Sequence, residues 1–147
     1  MSMTQENEAR RGWMGLLARA GAARLAALLP EVPEHELLRP AEVGAVMVRG
    51  RVGGTGTPFN LGEMTVTRCV LRLACGAVGH AHVQGRDKGH ALRAAAVDAL
   101  MQTEQAEDIR AQVLAPLSAE EAARRQARAA KAAATKVEFF TMVRGED

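Results

Sequence analysis

Aromatic side chains are scarce in this chain: one Trp, three Phe and no Tyr in 147 residues. A core made without them must be built from Leu, Val, Met and Ala. Alanine-rich helices bury little area per residue, so the isolated fold is expected to be only marginally stable. Cysteine is limited to Cys69 and Cys75, with no Cys-x-x-Cys, which excludes a disulfide framework and leaves no set of thiolates for an iron–sulfur cluster. Both cysteines read as small buried hydrophobes in a reducing compartment. The only serines are Ser2 and Ser118, and no Gly-x-Ser-x-Gly elbow exists, so a serine nucleophile is not expected. The formal charge of +2 is too small to draw nucleic acid by overall attraction. The longest uncharged run, Leu73–Gly85, is too short to span a bilayer. Glu6, Glu8, Arg10 and Arg11 precede the first apolar stretch, and Arg19 and Arg24 interrupt it, which is not a signal-peptide pattern. The expected location is the cytoplasm.

What is present suits one domain of 48% hydrophobic and 24% charged residues. Residues 1–40 read as N-terminal helices. Trp13, Leu16, Leu17 and Ala20, then Leu25, Leu28 and Leu29, recur at helical spacing, with a break at Gly21 and a stop at Pro30 and Pro33. Glu34–Leu38 is expected to add one helical turn before Pro40. Residues 41–85 change to a strand pattern. Thr65, Thr67, Cys69, Leu71 and Leu73 alternate with Met64, Val66, Arg68, Val70 and Arg72, and His80 and His82 share one face of the next strand. Cys75-Gly76 is the expected tight turn between these two strands. Residues 87–136 return to helix. Asp87 is the expected N-cap, and Leu92, Ala95, Ala96, Ala99 and Leu100 the buried stripe. A shorter helix over 106–114 is expected to break at Pro116, and Ser118 with Glu121 to form a capping box for the last helix. Residues 137–147 read as an extended apolar tail. The expected fold is α+β: a small antiparallel sheet of about three strands, with N- and C-terminal helices packed mainly on one face.

Two segments suggest anion binding. Gly53, Gly54 and Thr55 form a glycine-rich loop whose backbone amides can approach a phosphate, although the loop joins two strands and lacks the following helix and Gly-Lys-Ser/Thr of a P-loop. Arg86, Lys88 and His90 surround a helix start, where free amides and a partial positive charge favour an anion. The plainer alternatives are a flexible connection at the first and a capped helix with solvated cations at the second. His80 and His82, with His90 following, are weak metal candidates because no carboxylate or thiolate stands at a ligand-like spacing; packing or interface histidines are the plainer reading, and no metal is expected. No carboxylate pair stands out as an acid/base couple. Arg124, Arg125, Arg128, Lys131 and Lys136 read as a solvated helix face. Phe139, Phe140, Met142 and Arg144, near the chain end, read as anchors for this core or for a partner.

Several of these segments, Gly53-Gly54-Thr55-Gly56, Thr65–Arg68, Val83–Lys88, His90-Ala91, Asp98–Met101, Phe139–Gly145 and the early Trp13-Met14, together resemble the PhnG subunit family of the bacterial carbon–phosphorus lyase system. The resemblance covers nearly the whole chain; residues 20–40 and 104–134 add little to it. It implies a subunit of a core complex with partners PhnI, PhnH and PhnJ, in phosphonate catabolism. It implies that the complex uses ATP as a substrate, joining a phosphonate to the ribose carbon with displacement of adenine. It implies no cofactor held by this chain alone and no catalytic residue assigned to it. On this reading Arg86, Lys88 and His90 lie near a phosphate-bearing ligand or a subunit contact, and Phe139, Phe140, Met142 and Arg144 form interface. The competing expectations are a stand-alone phosphate- or nucleotide-binding module and a DNA-binding regulator using the basic late helix. Neither nucleic acid nor membrane is an expected partner of the subunit.

Overall fold

The computed structural model describes residues 3–137. The strongest alternation in the sequence becomes the centre of the sheet. Strand β2 (Pro58–Leu73) lies between β1 (His35–Arg51) and β3 (Val78–Gln84), both antiparallel to it, in the order β1-β2-β3. Thr67, Cys69, Leu71 and Leu73 turn one way and are buried, as are Gly79, Ala81 and Val83 on β3. Their neighbours Arg68, Val70, Arg72, His80, His82 and Gln84 occupy the opposite face, as a two-residue period requires.

The buried face is covered by α3 (Lys88–Leu100), in which every residue from Ala94 to Leu100 is buried. Small side chains allow this helix to approach the sheet closely. At Gly79 the contact is backbone to backbone: a Cβ there would fall on the Ala95 carbonyl oxygen and 2.7 Å from the Ala99 nitrogen. Helices α1 (Met3–Arg19) and α2 (Ala22–Leu28) complete the core with Leu17 and Leu25, and Trp13, Leu16 and Leu28 pack against it. The expected aromatic-poor α+β fold, with a three-stranded antiparallel sheet, is the fold observed.

Four local expectations are corrected. Residues 35–38 are strand, not helix: His35, Glu36 and Leu37 pair with Leu73, Arg72 and Leu71. Pro40 is accommodated because β1 is an edge strand whose register shifts between Leu37 and Glu42. Pro116 does not end a helix. Helix α4 (Ala106–Ile109) passes through a π-turn (Arg110–Leu114) into α5 (Ala115–Ala134), where Pro116 occupies the first turn. A wide turn directly before a proline gives its ring room without breaking the rod. Ser118 therefore lies inside α5 and caps nothing, while Glu121 accepts from Arg19 Nε at 2.7 Å. Cys75 is exposed, since it occupies the turn closed by Gly76 (φ 92°), whereas Cys69 is buried.

Two parts extend away from this core. Beyond the last β3 pairing at Val66, β1 and β2 continue as a two-stranded arm from Ala45–Thr65 to Arg51–Pro58. Val43, Met47, Phe59 and Leu61 on or beside the arm are exposed. Leu117 is the only fully buried residue of α5, and residues 122–134 are exposed throughout.

Candidate functional surface

The start of α3 is built as the sequence suggests. Gly85 adopts φ 92° to turn the chain out of β3, and its N–H donates to Thr65 O at 2.9 Å. Asp87 then caps the helix, its Oδ1 accepting from His90 N at 2.8 Å. Arg86 and Lys88 are exposed beside this turn. His90 does not join them. It is 3% exposed, and its Nε2 lies 2.9 Å from the Leu17 carbonyl oxygen, so its ring fixes α3 to α1 rather than facing a ligand.

The glycine loop is the tip of the β1–β2 arm. Gly53 and Gly54 have φ of 61° and 85°, conformations that glycine adopts without strain. Val52 N donates to Thr57 O and Gly56 N to Val52 O, so part of the loop's backbone is spent on closing it. At ~3.3 Å per strand residue, the seven residues from Thr65 to Pro58 separate this tip from the Gly85 turn by roughly 20 Å. Gly53, Gly54 and Thr55 are thus not brought together with Arg86 and Lys88. Phe139, Phe140, Met142 and Arg144 lie outside the described residues.

A feature missed in the sequence reading is Asp98. Its carboxylate is fully buried and accepts hydrogen bonds from Arg10 Nε (3.1 Å), Arg10 Nη2 (2.7 Å), Trp13 Nε1 (2.8 Å) and His80 N (2.9 Å). Its donors come from α1 and from the main chain of β3. The available signal was a carboxylate inside the apolar alanine stripe of α3, with Arg10 and Trp13 three residues apart on one helix. Because the carboxylate is fully partnered, it reads as a structural tie and not as a general base.

The outer face of the sheet carries a second group. Arg68 stands opposite His82, and Val70 opposite His80. Among the described residues no cluster of three or more His, Cys, Asp or Glu side chains is placed to hold a metal ion. No helix there is long and apolar enough to cross a membrane. Cys69 has its thiol pKa pushed up by burial, which keeps it protonated and unreactive.

The described residues define a small α+β chain with projecting arms, whose buried polar groups are spent on its own fold. The sequence model of the family described as "Phosphonate metabolism protein PhnG" matches residues 8–145. A curated relative from Rhizobium meliloti (strain 1021), "Alpha-D-ribose 1-methylphosphonate 5-triphosphate synthase subunit PhnG", is 47% identical over 145 residues, covering 94% of this chain and 90% of the relative. The chain belongs to the PhnG family of phosphonate metabolism.

Proposed function

We propose that this chain is the PhnG subunit of a ribose 1-phosphonate 5-triphosphate synthase. The observation that carries the reading is its 47% identity, over 94% of the chain, to a relative named as that subunit. In the reaction a phosphonate oxygen attacks the ribose C1 of ATP, the bond from C1 to the adenine nitrogen breaks, and adenine leaves with a proton. Partner subunits of the PhnI, PhnH and PhnJ types supply what this chain lacks. The chain acts as a structural and ligand-contributing component in the cytoplasm and holds no cofactor by itself.

The fold supports this division of labour. The arm at 45–65 exposes Met47, Val52, Phe59 and Leu61, and among the described residues nothing covers the distal part of α5. Arg86 and Lys88, exposed beside the start of α3, are the residues proposed to meet a phosphate-bearing ligand or a neighbouring subunit. The segment with Phe139, Phe140, Met142 and Arg144 is proposed as subunit interface.

Co-expression with a PhnI-type subunit tests the assignment. The expected result is a stable stoichiometric pair, weakened by removal of residues 137–147 with helical content retained. Recovery of the two proteins separately at micromolar concentration would contradict the assignment; unchanged pairing after truncation would reject the tail as an anchor.

A further inference from the structure

The outer sheet face holds a group of basic side chains to which nothing above assigns a role. A depression of ≈ 250 Å³ is walled by Met14 of α1, Arg39 of β1, Arg68 and Val70 of β2, and His80 and His82 of β3. Register fixes the arrangement. Arg68 and His82 are direct cross-strand partners, which places their Cβ atoms about 5 Å apart; His80 sits on the diagonal from Arg68, at roughly 7 Å.

The charges within it are unequally satisfied. Glu42 lies across β1 from Arg68, but its Oε2 accepts from Arg39 Nε at 3.1 Å and Nη2 at 2.9 Å. Arg68 makes no hydrogen bond or ion pair among the described residues, and neither do the imidazoles of His80 and His82. Arg68 is nonetheless half-buried, and its Nη2 lies over Gly44, where an added Cβ would stand 4.0 Å away. A half-buried guanidinium that has no ion-pair partner among the described residues, flanked by two imidazoles that can donate, is complementary to a compact anion with several oxygens. The same guanidinium repels a metal cation from the histidine pair.

We propose that Arg68, His80 and His82 form a binding site for a tetrahedral oxyanion, the phosphoryl or phosphonyl group of a small ligand. Arg68 presents its planar fork to two of the oxygens, and the two imidazoles donate to the remainder from the next strand. The depression is shallow, so the chain alone binds such a group weakly. This site does not depend on the synthase reading: assembly with partners can fail with the site intact, and the site can be empty in a chain that assembles.

The test is a titration of the full chain followed by histidine side-chain NMR. The probes are methylphosphonate and inorganic phosphate, with acetate and chloride at matched ionic strength. The four histidines supply their own controls, because the rings of His35 and His90 are engaged by the carbonyls of Pro33 and Leu17. Saturable shifts of His80 and His82 with the two tetrahedral anions, absent with acetate and chloride and lost in Arg68→Gln, are expected. No saturable response, an equal response to acetate, or an unchanged response in Arg68→Gln would overturn the site. If Arg68→Gln fails to give the native circular dichroism, His82→Asn replaces it. Phosphorus-31 line broadening of methylphosphonate is then the readout: at least a threefold weakening supports the site, and no weakening rejects it.

Discussion

The indole N–H of Trp13 donates to Oδ1 of Asp98 across 2.8 Å, joining the first helix to the helix at the centre of the core. Asp98 has no exposed surface, and its two oxygens are shared among Trp13, Arg10 and the main chain of His80. Removing the carboxylate would strand a partly buried guanidinium and two N–H donors together. Asp98→Ala is therefore expected to lose about 3 kcal/mol of stability, a large fraction of the ~5–15 kcal/mol typical of a domain. Urea unfolding followed by fluorescence of the single tryptophan checks this. A change below about 0.5 kcal/mol would show that the bonds are not formed in solution.

Gly79 is the position where β3 and α3 touch through their backbones. Gly79→Ala places a methyl group against the Ala95 carbonyl, and neither a strand nor a helix backbone can yield by rotating a side chain. The expected cost is about 3 kcal/mol or more, at or above the upper end for overpacked cores. Thermal unfolding of the variant measures it. Gly62→Ala, on the exposed arm with open space around its Cα, is the comparison and is expected to change stability by under about 1 kcal/mol.

Much of the fold was legible because the pattern in residues 64–84 is unambiguous: Cys69, Leu71 and Leu73 alternate with Arg68, Val70 and Arg72, and a one-residue slip would bury the arginines. The Asp87 cap was legible for the same reason, as a short-range hydrogen bond encoded within four residues. Pro116 and Ser118 misled because their local signals are those of a helix start, while the π-turn that carries the rod past them depends on how Val113, Leu114 and Leu117 meet the core. The strand at 35–38 was hidden because its partner, Leu71–Leu73, lies more than 30 residues away. His90 looked like a site residue because it neighbours Arg86 and Lys88 in sequence; helix geometry turns it inward to Leu17. Arg68 and His82 went unpaired in the sequence reading because their proximity is a matter of strand register.

The two cysteines are expected to differ sharply toward a thiol reagent. Cys75, exposed in its turn, reacts in the native protein, whereas Cys69, buried with a raised thiol pKa, reacts only after unfolding. Counting thiols titrated before and after denaturant gives one and then two. Two fast-reacting thiols in the native state would contradict the packing of β2 against α3.

The pair formed by Arg19 and Glu121 fastens α5 to α1 and should report on pH. The Arg19 hydrogen bonds hold the Glu121 carboxyl below its ordinary value. A depressed carboxyl stabilises the fold above its unfolded pKa, and that stabilisation is lost as pH falls through the folded one. Glu121→Gln should therefore lower the melting temperature relative to the parent at pH 7, with the difference shrinking as the solution is acidified below the carboxylate range. A difference that grows on acidification would reverse the assignment. Because the pair is largely at the surface, added salt should also reduce it.

Adenine release from ATP in the presence of methylphosphonate, measured with PhnI-, PhnH- and PhnJ-type partners purified with and without this chain, tests the subunit assignment most directly. Adenine should appear only when the chain is included, and the chain by itself should release none. Full activity of the partners in its absence, or turnover by the single polypeptide, would contradict the account.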